Sequence, residues 1–128
     1  MKIISFGYTT PALLARRKTV TRREWDDRYA KSFKGGEIVQ AYDKSPRAGG
    51  KKVGEVKLIV APYKEPLMAM PDTDYEAEGF AFLYGNGHTP PKWSGLPSFS
   101  MEAFKLWRQS GGTVWVIRFR VISLEEAS

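Results

Sequence analysis

The segment from Thr113 to Ile122 constrains the fold more than any other part of the sequence. Large apolar residues occupy every second position of it and two arginines stand between them, in the order Trp115, Ile117, Arg118, Phe119, Arg120 and Val121. A repeat of two residues is typical of a strand with one face on an apolar core, because successive side chains point to opposite sides. The segment therefore predicts a β-strand with Trp115 in the core.

Shorter elements precede this strand. Apolar and β-branched residues predict strands at residues 2–6, around Thr21, at 37–42 and at 52–63. The last helix is predicted to begin after Ser100 as its cap, with Phe99 and Phe104 as a hydrophobic staple. Trp107 follows on the same face, so we expect it in the core. This pattern predicts an α+β domain, a small β-barrel of about five to six strands with two to three flanking helices.

The composition narrows the class of protein. A chain of 128 residues is the size of one domain with a real hydrophobic core. The absence of cysteine excludes disulfides, zinc–thiolate sites and thiol nucleophiles, and a single histidine, His88, excludes multi-histidine metal sites. We therefore expect neither a metal nor a cofactor.

Hydropathy and charge bear on location and partners. No apolar run reaches the roughly 20 residues of a membrane span, and the N-terminal apolar stretch is too short for a secretory signal. We therefore expect a cytoplasmic protein with no membrane partner. The net charge of +6 at pH 7 favours phosphate-bearing partners. The sequence leaves the oligomeric state open.

A basic stretch before the first third of the chain ends is the main candidate for a binding site. It combines a lysine, two hydroxyls, two arginines and an indole, in the order Lys18, Thr19, Val20, Thr21, Arg22, Arg23, Glu24 and Trp25. The planar guanidinium group of arginine can bind phosphate oxygens through two hydrogen bonds, and an indole offers a stacking face for a base. In a strand Thr21 and Arg23 share one face, so Lys18 reaches Thr21 only if the chain turns before the strand begins.

Lys18 also has a structural interpretation. It follows Arg16 and Arg17 at the end of a helix that Thr10 and Pro11 are predicted to start. Cations at that end balance the helix dipole. On this interpretation the basic stretch is a solvated face of a structural or protein-binding domain.

Glu78 is a candidate because no structural task is evident for it. The preceding Thr73 and Glu76 have the spacing of a capping box, in which each side chain satisfies a backbone N–H of the first helical turn. Glu78 stands outside that box and beside Gly79, where a ligand or another part of the backbone can approach closely.

Two loops add further candidates. The first, at residues 44–52, is basic and rich in glycine, and it is either a solvated turn or a flexible phosphate grip formed by Lys44, Arg47, Lys51 and Lys52. The second, at residues 85–98, holds too many glycines and prolines for a regular element. Its length and its Trp93 predict a wall of the binding site.

Three short motifs, in this order, resemble the ASCH domain, a family of the PUA-like superfamily of small β-barrels. They are LARRKTVTRR at 14–23, FKGGEIV at 33–39 and EGF at 78–80, ahead of a terminal helix and strand. The likeness covers nearly the whole chain. It implies that RNA or a modified nucleoside binds in a cleft beside the barrel.

One bacterial branch of that family hydrolyses the acetyl amide of N4-acetylcytidine with a lysine, a threonine three residues later and a glutamate. The matching positions are Lys18, Thr21 and Glu78. In that chemistry Lys18 takes the proton of the Thr21 hydroxyl as it attacks the acyl carbon, and Glu78 orients the lysine or carries a proton. It requires that the lysine and glutamate are not simply ion-paired, because a charged Glu78 raises the pKa of Lys18. The family often has glycine where this chain has Arg16.

Three functions therefore remain as alternatives. Binding of RNA or a modified nucleoside needs the fewest conditions, with phosphate contacts from basic residues and a stacking face from tryptophan, which gives the set Arg16, Lys18, Arg22, Arg23, Trp25 and Trp93. The second is deacetylation of N4-acetylcytidine, and the third, which we favour least, is ribonuclease activity.

Overall fold

A curled, mixed β-sheet is the framework of the protein, which a computed structural model describes over residues 1–125. Its strands are Ile3–Ser5 (β1), Val20–Arg23 (β2), Ile38–Tyr42 (β3), Lys52–Leu58 (β4), Tyr63–Pro66 (β5) and Thr113–Leu124 (β6). Their spatial order is β1-β3-β4-β6-β2, and β5 also pairs with β6. β1 and β3 are parallel, whereas the other pairs are antiparallel.

Strand β6 holds the sheet together because it pairs with three other strands. In its first half, Val116 lies between Tyr63 of β5 and Arg22 of β2. In its second half, Phe119 lies opposite Leu58 of β4. The register shifts within the β4–β6 ladder, and such a bulge bends a strand and increases its twist. The predicted C-terminal strand is confirmed, and its bend curls the sheet into a half-barrel.

Five short α-helices flank the sheet within residues 1–125, where the sequence predicted two to three. They are Thr10–Leu14 (α1), Asp27–Lys31 (α2), Asp74–Ala77 (α3), Phe80–Gly85 (α4) and Met101–Gln109 (α5). The cap of α5 is confirmed, because the Ser100 Oγ accepts a hydrogen bond of 3.2 Å from the Ala103 amide. In the described part of the chain, no helix has the length and apolar character that crossing a bilayer requires. The predicted class, an α+β barrel-like sheet with flanking helices, is confirmed.

Two apolar clusters form the core. The first lies inside the curled sheet and contains Ile4, Phe6, Leu13, Ala30, Phe33, Val39, Ala41, Val53, Val56, Leu58, Trp115, Ile117 and Phe119. The second lies among the helices and contains Ala12, Leu67, Met70, Phe80, Leu83, Phe99, Phe104 and Val114. Trp115 is buried as predicted, whereas Trp107 is only partly buried at the edge of the second cluster.

Two local predictions are wrong. The strand predicted at 52–63 ends at Leu58, and a second strand starts at Tyr63 after Pro62, which has no N–H to donate to a ladder. The predicted capping box does not form, because the Thr73 backbone is helical and its side chain caps nothing. Glu76 instead pairs with Arg17 on the surface at 3.5 Å.

Candidate functional site

A turn between α1 and β2 carries Lys18 into the interior. α1 ends at Leu14, and Arg16 follows in the left-handed region with a φ of 60°. The Lys18 amide then donates to the Ala12 carbonyl at 3.2 Å, and the Lys18 side chain is 1% exposed. Lys18 is therefore not a surface cation that balances the helix dipole, and that interpretation is wrong.

Lys18 meets Glu78 at the end of this turn. Its Nζ donates to the Glu78 Oε1 at 3.1 Å and to the Glu78 carbonyl at 2.9 Å. The next residue, Gly79, has a φ of 93°, and a Cβ on it would lie 2.5 Å from the Ala12 Cβ. Glycine is needed there because α1 packs directly against this backbone. That close packing brings Lys18 and Glu78 together.

Arg22 links Glu78 to two further carboxylates, buried Asp74 and half-buried Glu65. Its Nη1 donates to the Glu78 Oε2 at 2.8 Å, while its Nη2 bonds to Asp74 and to the Glu65 Oε1 at 3.2 Å. Asp74 also accepts a bidentate pair of hydrogen bonds from Arg118, from Nη1 to Oδ1 at 3.1 Å and from Nη2 to Oδ2 at 2.9 Å. The Arg22 side chain is 0% exposed, and its Nε has no partner within residues 1–125. Arg22 therefore holds carboxylates in place and is not free to bind phosphate.

The network sets the protonation of its members. Burial lowers the pKa of Lys18, and the charge of Glu78 only partly offsets this effect. Burial acts to raise the pKa of Asp74, but hydrogen bonds from Arg118 and Arg22 outweigh it and leave the pKa below its usual range. Lys18 and Glu78 are ion-paired, contrary to the requirement stated above. The pKa of Lys18 is lowered nevertheless, and Glu78 is shared with Arg22.

Thr21 and Arg23 share the opposite face of β2 from Arg22, as predicted for a strand. The Arg23 Nε donates to the Thr21 Oγ1 at 3.1 Å, and its Nη2 donates to the Ser5 carbonyl at 2.6 Å. The guanidinium carbon lies 5.8 Å from the centre of the Phe6 ring, within cation–π range. Within residues 1–125, the hydrogen bonds of the Lys18 Nζ go to Glu78 and none goes to Thr21.

These side chains form the floor of a cleft of about 470 Å³, a size typical of small-molecule sites. Lys18, Thr21, Arg22, Arg23 and Glu78 all line it. Its walls are mainly aromatic and consist of Phe6, Tyr8, Phe80, Trp93 and Trp107. Because Phe6 belongs to one apolar cluster and Phe80 to the other, the cleft lies where the two clusters meet.

Both predicted loops reach the cleft. Lys44 and Ser45 of the basic loop line it. Trp93 of the loop at 85–98 stands over it, 80% exposed, with its ring 5.6 Å from that of Tyr8 in an edge-to-face contact. His88 is not among the lining residues. The cleft therefore has a buried ionic floor and an exposed aromatic rim.

Several candidates lie outside the lining of this cleft, namely Arg16, Trp25, Arg47, Lys51 and Lys52. Trp25 stacks on Phe33 with ring centres 4.8 Å apart and borders a second cavity of about 550 Å³. Lys52 pairs with Glu55 at 3.2 Å. The structure thus places only some of the predicted binding residues around this cleft.

Sequence reasoning missed residues that complete the site. Asp74 was not singled out, and Arg118 was recognised only as lying between the apolar positions of the last strand, yet the two are paired behind Arg22. An arginine in the middle of an otherwise apolar strand was the available indication of a buried partner. Among residues 1–125, no group of three or more His, Asp or Glu side chains is placed to hold a metal ion.

Comparison with known proteins shows a relative in fold. No family model matches the chain, and no significant match to a curated protein was found. The structure is similar to the crystal structure of protein EF3133 from Enterococcus faecalis V583, of the family DUF984, with a TM-score of 0.59. The sequences are 13% identical over 99% of this chain and 83% of that one. At this identity the likeness concerns the fold alone.

Proposed function

We propose that the protein binds the base of a nucleoside, free or within RNA, in the cleft beside the sheet. The observation that carries the proposal is the combination of aromatic walls with a polar floor in a cleft of about 470 Å³. Bases stack on aromatic side chains whatever their sequence, and hydrogen bonds at the base edge select among them. The resemblance to the ASCH domain points in the same direction.

The floor of the cleft offers both donors and acceptors to a base edge. The Thr21 hydroxyl donates and accepts, the Glu78 carboxylate accepts, and the Lys18 ammonium and the Arg23 guanidinium donate. All of these groups are held by hydrogen bonds within the protein, so they are already arranged before a ligand enters. Such preorganisation lowers the entropic cost of binding.

The test is calorimetric titration with cytidine and N4-acetylcytidine of the wild type and Trp93→Ala. Trp93 is 80% exposed, so its loss leaves the fold intact. Loss of one stacking face costs about 1–3 kcal/mol, which weakens affinity by roughly 5- to 150-fold. Tyr84→Ala is the matched control, because Tyr84 is 56% exposed and lies outside the cleft. Equal affinities in the wild type and Trp93→Ala contradict the proposal.

Deacetylation of N4-acetylcytidine is a second candidate, which the lowered pKa of buried Lys18 favours. Neutral Lys18 would take the Thr21 proton as the hydroxyl oxygen attacks the acetyl carbon, and would then give it to the departing amine; water would release acetate from Thr21. The Nζ must first turn from the Glu78 carbonyl toward Thr21. The titrated samples report this activity as released acetate, which Thr21→Val abolishes. Absence of acetate from the wild type rejects this candidate.

His88 lies outside the cleft lining, so ribonuclease activity with a histidine acid or base has no support.

A further inference from the structure

The lining of the cleft contains more positive charge than its carboxylate can balance. Among the described residues 1–125, four cations line it, Lys18, Arg22, Arg23 and Lys44, against the single carboxylate of Glu78. Lys18 and Arg22 are both ion-paired, and Arg22 has two further carboxylates behind the lining. Within residues 1–125, neither Arg23 nor Lys44 forms an ion pair. The unbalanced charge therefore belongs to Arg23 on the floor and Lys44 at the rim.

Arg23 is unusual because it is partly buried in the cleft and its charge has no counterion within residues 1–125. Burial lowers its pKa, and the nearby charge of Glu78 acts in the opposite direction. The Nε and one N–H of Nη2 are engaged by Thr21 and Ser5, while Nη1 has no hydrogen-bond partner in the described chain. A partly buried guanidinium with a free N–H group and no counterion is well placed to bind an anionic ligand, which would supply the missing opposite charge.

We infer that the cleft binds a nucleotide, with a phosphate group on the free N–H groups of Arg23 and the base against the aromatic walls. This inference rests on the proposed function and narrows its ligand to an anion. A guanidinium holds phosphate oxygens through two parallel hydrogen bonds, and Nη1 with the second N–H of Nη2 provides such a pair. Lys44 adds a second positive charge from the rim. The phosphate is either the monoester of a free nucleotide or a diester of an RNA strand.

The experiment compares ligands that differ only in phosphate. The wild-type protein is titrated by calorimetry with the four ribonucleosides, their 5′-monophosphates, inorganic phosphate and a short RNA oligomer without terminal phosphates. A charge-assisted contact in a partly buried site predicts that the best monophosphate binds about tenfold tighter than its nucleoside. If the oligomer binds more tightly than the best monophosphate, the natural phosphate is a diester of an RNA strand. If the monophosphate binds more tightly than the oligomer, the phosphate is that of a free nucleotide.

Two variants locate the effect. Arg23→Gln removes the advantage of the monophosphate over the nucleoside. Arg120→Gln makes the same change of charge on an exposed residue of β6 outside the cleft, and it keeps the advantage. The wild-type comparison needs no variant, so it decides the question even if Arg23→Gln does not fold.

The outcomes separate this inference from the proposed function. A nucleoside that binds as tightly as its monophosphate overturns the inference and leaves the proposed function standing. Absence of binding by every nucleoside, monophosphate and oligomer overturns both. Inorganic phosphate that binds as tightly as the monophosphate supports an anion on Arg23 and overturns the role of the aromatic walls.

Discussion

At the scale of single residues, Asp74 is the group on which the buried charges behind the site converge. It is 2% exposed and accepts hydrogen bonds from both Arg22 and Arg118. Its carboxylate neutralises the Arg22 guanidinium from behind, while Glu78 contacts the same guanidinium from the side of the cleft. The position of Glu78 beside Lys18 therefore depends on a residue that does not line the cleft.

We expect Asp74→Asn to destabilise the protein by about 3 kcal/mol or more, because it leaves two guanidinium groups without their shared counterion. Denaturant unfolding followed by circular dichroism measures the effect. Asp72→Asn is the matched control, because Asp72 pairs with Arg108 at 2.6 Å but is 71% exposed. We expect less than about 1 kcal/mol there. A similar loss in both variants shows that burial of Asp74 is not the reason for its effect.

At the scale of elements, the connection from α1 to β2 sets the orientation of the side chains of β2. The left-handed turn at Arg16 ends the helix and directs Lys18 inward. β2 then starts at Val20, so Thr21 and Arg23 lie on one face of the strand and Arg22 lies on the other, where it pairs with carboxylates. Two arginines that are adjacent in sequence thus have different tasks because a strand alternates its side chains.

We expect Arg16→Gly to raise the free energy of unfolding by about 0.5–1 kcal/mol. A side chain in the left-handed region costs about 1–2 kcal/mol, which exceeds the entropy that glycine loses on folding. Arg17→Gly is the control, because Arg17 is the next residue and has no positive φ. Glycine there should destabilise by about 0.5–1 kcal/mol. Thermal melting tests whether Arg16→Gly is stabilising and Arg17→Gly destabilising. A loss of stability in Arg16→Gly contradicts the role assigned to the turn.

At the scale of the whole molecule, the cleft lies between two separately packed apolar clusters. The curled sheet encloses the first cluster, and the helices on its flank enclose the second. The ion network crosses this boundary, because Arg22 belongs to the sheet while Glu78 follows α3. Stability and site geometry are therefore coupled through buried charge.

This coupling predicts a loss of stability in acid. Within residues 1–125, four carboxyl groups have a lowered pKa in the folded protein, namely Asp27, Glu37, Asp72 and Asp74. A carboxyl group whose pKa is lower in the folded than in the unfolded protein stabilises the fold at pH values above its unfolded pKa. This contribution is lost as the pH falls through the folded pKa. The free energy of unfolding should therefore be steady near neutral pH and should fall from about pH 5 downward. Denaturant titrations at several pH values test this, with a shallower decline expected in Asp74→Asn. A wild type that is unchanged down to about pH 2 contradicts the prediction.

The sequence by itself determined the features that depend on local periodicity. The alternation in β6 and the Ser100 cap of α5 could be predicted because the interactions behind them lie within a few residues. The combination of Lys18, Thr21 and Glu78 came from the resemblance to the ASCH domain and not from periodicity. The strand break after Leu58 was missed although Pro62 marks it in the sequence, and the capping box at Thr73 was wrongly predicted because the Thr73 backbone is itself helical.

Only the tertiary structure decided which candidate residues line the same cleft. Arg22 contacts Glu78 across 56 positions of sequence, and Arg118 contacts Asp74 across 44. Such pairs form when separate elements pack together, and no local spacing records them. For the same reason Trp25, adjacent to the basic stretch in sequence, stacks away from the cleft, whereas distant Trp93 stands over it. Periodicity specified the elements, and long-range packing of buried charge specified the site.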